Sequence, residues 1–404
     1  EALLRAAHGR IVTALSGSET VEHAYALAKL LRQGLDSHTA VLPEESSDAL
    51  DAVRLPLSAL AEADVIAVLG DAPVVERAPI VELWLKLARR NGARVLYELD
   101  EEAVREAQRA ILVWSGPLGQ GGERVARLAQ RLGAHGAFFL PETANGRGVC
   151  DAWAAGADAE PTNPDPIGLL VVSGDEAASN PAVRALAEQA ERVIVISMFH
   201  GLAAGWADLV LPGTSYLERD GTYVNLEGRI QRLRRTVIPP APDELAWIAK
   251  LGERFGVELS PYPSAVFEEV AAVAFGGIPF GEVGEFASLP STEEPITATS
   301  ETEPLQRPTA DEGPLRLVRY RPLFAGPAVE RVPELQFQRP LPELQLTERD
   351  ARARGIRNGD SVTVSSNGTT VTLRARLTRE LRDGVVRVAD EHAGDLQPSV
   401  EVRK

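Results

Sequence analysis

The 404-residue chain is poor in metal-binding side chains and in long apolar runs. Its only cysteine is Cys150, so it can form no internal disulfide and cannot alone hold an iron–sulfur cluster that needs several thiolates. The six histidines are scattered, with no two of them four residues apart, and the sequence therefore predicts no metal site. The apolar runs are too short for a membrane-spanning helix, so no direct membrane span is predicted either.

Positive charge is scarce as well. The formal net charge is −16, which argues against nucleic acid as a partner because surfaces that bind phosphate backbones are cationic. The distribution is uneven, since the residues from Arg316 onward carry 16 Lys or Arg against 12 Asp or Glu. A solvated acidic surface and a specific basic partner both explain the acidic first part.

What the sequence does contain is a repeated alternation of apolar strands and helical patterns. Strands such as Asp64–Leu69 and Ile111–Trp114 are apolar almost throughout, as expected for parallel strands covered on both faces. A proline-rich break over 158–166 divides this part of the chain. We predict an inserted α/β domain over 1–163, and a second α/β unit over 164–275 with a polar loop at 212–235 and two helices.

The last third of the chain has a different pattern. Residues 276–315 are rich in Pro, Ser, Thr and Glu and are predicted to be an acidic linker. Residues 316–404 contain alternating runs such as Ser361–Ser365 and Thr370–Arg376, separated by Asn-Gly and Asp-Gly turns. This pattern predicts a compact C-terminal β-barrel.

Two stretches are candidates for binding. The glycine-rich segment Gly116–Gly122 follows a strand and precedes a helix, where it could seat a phosphate or simply form a turn. It lacks the established dinucleotide and P-loop spacings. The polar loop either shapes a pocket or is held together by ion pairs between its own acidic and arginine side chains. Its candidate binding residues are Asp220, Gly221, Thr222, Asn225, Glu227 and Arg229. No nucleophile with an ordered base is visible, so no catalytic residue is predicted.

The stretch ADLVLPGTSYLERDGTYVNLEGRIQ at 207–231 resembles a segment of the molybdopterin oxidoreductase superfamily. Residues 145–151 resemble a further element of that family, and 344–366 resemble its C-terminal barrel. The resemblance implies two Rossmann-like parallel-sheet α/β units followed by a pterin-dinucleotide-binding-like β-barrel. It also implies that the six polar-loop residues named above line a pterin pocket.

Other segments depart from the family pattern. Tyr97–Glu101 is acidic where related sequences have Asp-Pro-Arg, and such a run would repel a nucleotide phosphate. Gln120–Gly122 and Phe199–Leu202 replace two further family elements. These departures predict that the pocket is vestigial and that this chain binds no cofactor itself.

Within the superfamily, the sequence is most similar to the C-terminal part of the G subunit of NADH-quinone oxidoreductase, or respiratory complex I. Together with the first residue, Glu1, and the single cysteine, this similarity leads us to expect a longer product whose missing N-terminal region holds iron–sulfur clusters. The resemblance implies a structural role in electron transfer from NADH to quinone, with other peripheral-arm subunits as partners. The implied location is cytoplasmic, on the peripheral face of the inner membrane, and the isolated chain is predicted to be inactive.

Two other interpretations remain at this point. The chain could be a fragment of a catalytic molybdopterin enzyme, such as a formate dehydrogenase large subunit, because Gly221, Thr222, Asn225, Glu227 and Arg229 follow the family pattern. It could also be an unrelated α/β module that binds a small nucleotide at Gly116–Gly122.

Overall fold

The computed structural model describes residues 1–44, 48–156, 163–284 and 313–404. The chain divides into two compact units, each built from two separate stretches of sequence. The first comprises Glu1–Asp51 and Pro141–Glu293, and the second comprises Ala52–Leu140 and Glu294–Lys404.

The first unit is an α/β unit around a parallel sheet of five strands in the order β2-β1-β7-β8-β9. Three of these strands are completely buried, because helices cover both faces. The strands, numbered in chain order, are β1 (Ile11–Leu15), β2 (Thr39–Val41), β7 (Leu169–Ser173), β8 (Val193–Ser197) and β9 (Leu209–Pro212).

The long helix α2 (Val21–Leu35) forms the centre of this unit's core. The side chain of Thr20 accepts a hydrogen bond from the backbone N–H of His23 and so caps the first turn. Asn180 caps α10 in the same way, with Pro181 in its first turn. The other helices are α1 (Ala2–Ala6), α3 (Asp48–Asp51), α8 (Gly146–Ala155), α9 (Asp175–Ala178), α10 (Pro181–Ala187), α11 (His200–Ala203), α12 (Glu244–Phe255), α13 (Pro263–Ala274) and a 3₁₀ turn at Phe280–Glu282.

The predicted polar loop contains a hairpin. Strands β10 (Gly221–Val224) and β11 (Ile230–Leu233) pair antiparallel as a separate two-stranded sheet. Val224 and Ile230 point into the unit's core, which anchors the hairpin against α2 and α13.

The second unit contains a four-stranded parallel sheet in the order β4-β3-β5-β6. Its strands are β3 (Val65–Leu69), β4 (Arg94–Leu96), β5 (Ala110–Trp114) and β6 (Gly136–Phe139). Its helices are α4 (Val74–Arg77), α5 (Pro79–Arg90), α6 (Glu101–Glu106), α7 (Leu118–Leu132) and a 3₁₀ helix at Leu57–Glu62.

The same unit contains a closed barrel with strand order β12-β16-β13-β15-β14-β17. The turn between β14 and β15 is Asn367-Gly368, and both residues have positive φ, as a tight hairpin requires. The barrel strands are β12 (Leu315–Tyr320), β13 (Glu343–Leu346), β14 (Ser361–Ser366), β15 (Thr369–Leu377), β16 (Val385–Ala389) and β17 (Ser399–Arg403). They are accompanied by α14 (Pro327–Glu330), α15 (Glu348–Ala353), α16 (Asp390–Ala393) and a 3₁₀ helix at Pro333–Gln338.

The predicted fold class, two parallel-sheet α/β units followed by a β-barrel, is confirmed. The strand pairing differs from the predicted division at residue 163, because β1 pairs with β7 along its whole length. Local sequence cannot show this: both strands are short and apolar, and either would fit the interior of any parallel sheet. Most of the predicted linker at 276–315 lies outside the described residues.

Candidate functional site

In the second unit, the carboxyl ends of β3 and β5 mark the point where the strand order reverses, the usual place for a ligand on a parallel sheet. Gly70 follows β3 with a φ of 89°. A Cβ at this position would lie 2.5 Å from the backbone oxygen of Ser115, which follows β5. Glycine at position 70 therefore lets the two strand ends come together.

Asp71, the next residue, is surrounded by barrel arginines. Arg382 binds it with two hydrogen bonds, from Nε to Oδ1 at 2.9 Å and from a terminal nitrogen to Oδ2 at 2.6 Å. Arg316 places a terminal nitrogen 3.5 Å from the same carboxylate. Arg387, on β16, places a terminal nitrogen 3.5 Å from the backbone oxygen of Asp71. We call Asp71, Arg316, Arg382 and Arg387 the arginine edge.

Arg387 has an uncommon environment for a guanidinium. Its side chain is 1% exposed, and its carboxylate neighbour Glu380 is 3.5 Å away. Its Nε has no hydrogen-bond partner among the described residues. Burial lowers the pKa of Arg387, although Glu380, Tyr320 and Asp71 oppose that effect. A buried cation with a free donor is a favourable place for an anionic or carbonyl-rich ligand.

Part of the negative charge of the acidic run at Tyr97–Glu101 is already engaged with other protein groups. The carboxylate of Asp100 caps α6 by accepting a hydrogen bond from the N–H of Ala103 at 3.0 Å. Glu101 pairs with Arg105 and with Arg131, at 2.5 Å and 2.9 Å. Two of the acids that were expected to repel a phosphate are therefore committed to helix capping and ion pairs.

The glycines of Gly116–Gly122 have a packing role. A Cβ at Gly116 would lie 2.6 Å from the Trp114 ring, and a Cβ at Gly121 would overlap the same ring. The indole N–H of Trp114 donates to the backbone oxygen of Pro117 at 3.1 Å. These two glycines thus make room for an indole that folds back over the first turn of α7.

In the first unit, the predicted pocket residues on the hairpin contact other protein groups. Thr222 donates from its backbone N–H and from its hydroxyl to the carboxylate of Glu22, at 2.9 Å and 3.1 Å. Gly221 precedes it with its Cα close to the same carboxylate, since a Cβ there would lie 2.7 Å from Glu22 Oε2. Asp220 accepts from the backbone N–H of Arg235 at 3.1 Å.

The hairpin turn is held by the remaining three predicted residues. Asn225 Oδ1 accepts from the backbone N–H groups of Glu227 and Arg229, at 3.0 Å and 2.9 Å. The side chain of Glu227 accepts from Arg229 Nε at 3.1 Å. These bonds fix the turn between β10 and β11, and they account for why Asn, Glu and Arg occur at this spacing.

Two buried residues outside the predicted set complete this arrangement. Asn145, fully buried, donates to the backbone oxygen of Glu19 and accepts from the N–H of Val224, both at 2.7 Å. Burial raises the pKa of Glu22 to about 7, although hydrogen bonds from Thr222 and Thr20 oppose the rise. Asn145 begins the family-like stretch at 145–151, so a signal existed for it. Glu22 lies in an ordinary amphipathic helix, and its sequence context contains no signal that marks it as part of this arrangement.

The lone cysteine is buried and hydrogen-bonded. Cys150 donates from Sγ to the backbone oxygen of Glu44 at 2.9 Å, and burial raises its thiol pKa to about 12. Within the described residues, no cluster of three His, Cys, Asp or Glu could hold a metal ion. No described helix is both long and apolar enough to cross a bilayer.

Comparison with known families identifies the class of fold. Residues 159–244 match the family model for molybdopterin oxidoreductase. Residues 327–401, which include most of the barrel and Arg387, match the molydopterin dinucleotide binding domain. Two segments of the chain thus match domain models of molybdopterin oxidoreductases, and the resemblance predicted from the sequence is confirmed.

The individual relatives have different activities, and each matches only part of this chain. The chain is 31% identical over 224 residues to the F420-dependent formate dehydrogenase 2 subunit alpha of Methanococcus maripaludis, covering 48% of this chain and 33% of that protein. It is 30% identical over 237 residues to the second G subunit of NADH-quinone oxidoreductase in Rhizobium meliloti, covering 55% of this chain and 27% of that protein. The matched region is thus about a third or less of each relative's length.

A solved structure shares the fold. Acetylene hydratase from Pelobacter acetylenicus superposes with a TM-score of 0.51 over 96% of this chain and 80% of its own, at 12% identity. At that identity the likeness concerns the fold alone.

The prediction that this chain binds no cofactor is wrong. Both matched domains point to a molybdopterin cofactor bound in this chain. The prediction treated the acids after β4 as free charge, whereas Asp100 and Glu101 are paired, and it overlooked the arginines that the barrel places beside Asp71. Arg387, buried and with an unpartnered Nε, fits the anionic part of such a cofactor.

Proposed function

We propose that this chain is the molybdopterin-oxidoreductase portion of a protein resembling the G subunit of NADH-quinone oxidoreductase, and that its arginine edge holds the anionic part of a pterin dinucleotide. The observation that carries the binding proposal is the environment of Arg387. It combines full burial, an Nε that has no partner among the described residues, and a position next to the carboxyl end of β3. The match to the Rhizobium meliloti G subunit supports the choice of parent, because it extends over 55% of this chain.

The arginine edge would position the bound dinucleotide. Asp71 holds Arg382 in a two-point contact, which fixes the plane of that guanidinium. Arg387 is rigid because the strand β16 is buried along its whole length. A bound molybdopterin would supply the redox-active metal centre, and the residues described here would bind and orient its dinucleotide.

The hairpin of the first unit would have a second positioning role. Its turn is rigid because Asn225, Glu227 and Arg229 bond one another, and its first strand is bonded to Glu22 and Asn145. We propose that these contacts hold the six polar-loop residues in place to line a pterin pocket. The residues are Asp220, Gly221, Thr222, Asn225, Glu227 and Arg229.

The parent can be identified from the native gene product. We expect the full-length protein, tagged and isolated from its own host, to co-purify with NADH-dependent reduction of ferricyanide. The proposed partners are other peripheral-arm subunits, and the proposed location is the cytoplasmic, peripheral face of the inner membrane. Isolation of the tagged protein without any NADH-oxidising activity would overturn the choice of parent.

The second candidate is a catalytic formate dehydrogenase subunit. It is favoured by the 31% identity to the Methanococcus maripaludis protein over 48% of this chain. The same preparation distinguishes the two candidates, because formate-dependent dye reduction without NADH-dependent activity would select this alternative.

A further inference from the structure

The first unit carries an exposed patch of apolar and basic side chains. Tyr216 and Leu217, in the segment after β9, are 59% and 43% exposed. Val237 and Ile238, in the segment after β11, are 48% and 89% exposed. Single exposed apolar residues need no explanation, but several adjacent ones mark surfaces that contact other molecules.

The two apolar pairs form one surface because their backbones are joined. The carbonyl oxygen of Leu217 accepts hydrogen bonds from the N–H of Thr236 at 2.8 Å and from the N–H of Val237 at 3.0 Å. The segments that carry Tyr216 and Ile238 therefore run side by side. The four apolar residues are therefore carried by two backbone segments that are hydrogen-bonded to each other at Leu217.

Arginines lie close in sequence to one side of this surface. Residues 229–235 read RIQRLRR, and Arg232 and Arg234 are exposed. The guanidinium of Arg232 stacks over the Phe280 ring at 4.3 Å. In the part of the chain that the structure describes, neither Arg232 nor Arg234 has a carboxylate within ion-pair distance, although the whole chain has a net charge of −16. Within the described residues, Arg232 and Arg234 are therefore two exposed cations without a carboxylate partner, close in sequence to an apolar surface.

We propose that Tyr216, Leu217, Arg232, Arg234, Val237 and Ile238 form a docking surface, the arginine-apolar patch, for a protein segment that combines acidic and apolar side chains. Aromatic, apolar and arginine side chains are the types enriched at the centres of protein interfaces. The uncompensated arginines select an acidic partner by charge complementarity, and they speed its approach. A nucleic acid backbone would leave the four apolar side chains unburied. The proposal is independent of the cofactor and of the choice of parent.

The test uses the full chain and a fluorescent peptide of repeating Glu and Leu with one Phe, followed by anisotropy. A matched peptide with Lys in place of Glu, duplex DNA and phosphatidylglycerol vesicles are the competing probes. We expect the acidic peptide to bind more tightly than the other probes and to weaken with salt. Combined Arg232→Glu and Arg234→Glu substitutions should reduce its affinity by about tenfold or more, and Ile238→Ser should reduce it at unchanged salt dependence.

The matched controls are Arg379→Glu, an exposed arginine of the second unit, and Val273→Ser, an apolar residue of α13 that is 68% exposed. Both controls should bind the acidic peptide as the unaltered chain does. The proposal is overturned if the Lys peptide, the DNA or the vesicles bind more tightly. Equal loss of binding in the controls and in the patch variants would overturn it as well.

Discussion

Glu22 lies in the first turn of α2 with its carboxylate fully buried against Thr222. Burial holds its pKa near 7, well above the 4.5 of an ordinary glutamate. The unfolded chain therefore releases this proton at lower pH than the folded chain does. The contribution of Glu22 to the free energy of unfolding is fully present below about pH 4.5, and it is lost as the pH rises through about 7.

Replacement of Glu22 by Gln should remove this pH dependence, because Gln can accept the Thr222 N–H bond without carrying charge. As the pH rises from 5 to 8, the free energy of unfolding of E22Q should increase by about 1 to 3 kcal/mol relative to that of the unaltered chain. Urea unfolding of both proteins at several pH values measures the difference. A constant difference across this range would contradict the assignment of a raised pKa to Glu22.

Substitution of Asn145 tests the hydrogen bonds that position the hairpin. Its replacement by Ala leaves the N–H of Val224 and the backbone oxygen of Glu19 buried without a partner. We expect a loss of about 2 kcal/mol or more in unfolding free energy. Asn91→Ala is the control, since Asn91 is exposed and its side chain donates to the backbone oxygen of Ala61. Equal losses in the two variants would show that Asn145 has no special role.

At the scale of elements, sequence patterns located most of the helices and the buried strands. The predicted strand at Ile111–Trp114 agrees with β5 to within one residue, and the two helices predicted for the second α/β unit correspond to α12 and α13. The hairpin β10–β11 was missed because its polar and charged side chains have no apolar alternation over a long run. Its stability comes from bonds to Glu22 and Asn145, which are distant in sequence.

Gly121 gives a test at this scale, because packing and helix propensity predict opposite outcomes. Alanine is the better helix former, so an exposed glycine in α7 should gain up to about 1 kcal/mol on replacement by Ala. At Gly121 the added Cβ would overlap the Trp114 ring, and we expect G121A to lose about 1 to 3 kcal/mol instead. Gly119→Ala, at an exposed position of the same helix, is the control. Stabilisation by both substitutions would contradict the packing role of Gly121.

At the scale of the whole molecule, the sequence predicted the fold class but could not predict which strands pair. The parallel pairing of β1 with β7 joins strands that are far apart in the chain, and the closed barrel brings β12 beside β16. The same limit explains the error about the cofactor. Arg382 and Asp71 are separated by 311 positions, so nothing local in the sequence shows that the arginines of the barrel reach the end of β3.

The central claim, that the arginine edge holds the cofactor, is tested most directly by the pterin content of the chain. The chain is produced in a host that makes molybdopterin, and pterin is measured by fluorescence after oxidative release. We expect the unaltered chain and the control Arg379→Met to carry pterin in amounts comparable to the protein. Arg387→Met should carry several-fold less pterin. Arg382→Gln, at a more exposed position, should also carry less pterin, and this variant provides the test if substitution of the buried Arg387 impairs folding. Absence of pterin from the unaltered chain, or undiminished pterin in the folded Arg387 and Arg382 variants, would contradict the claim.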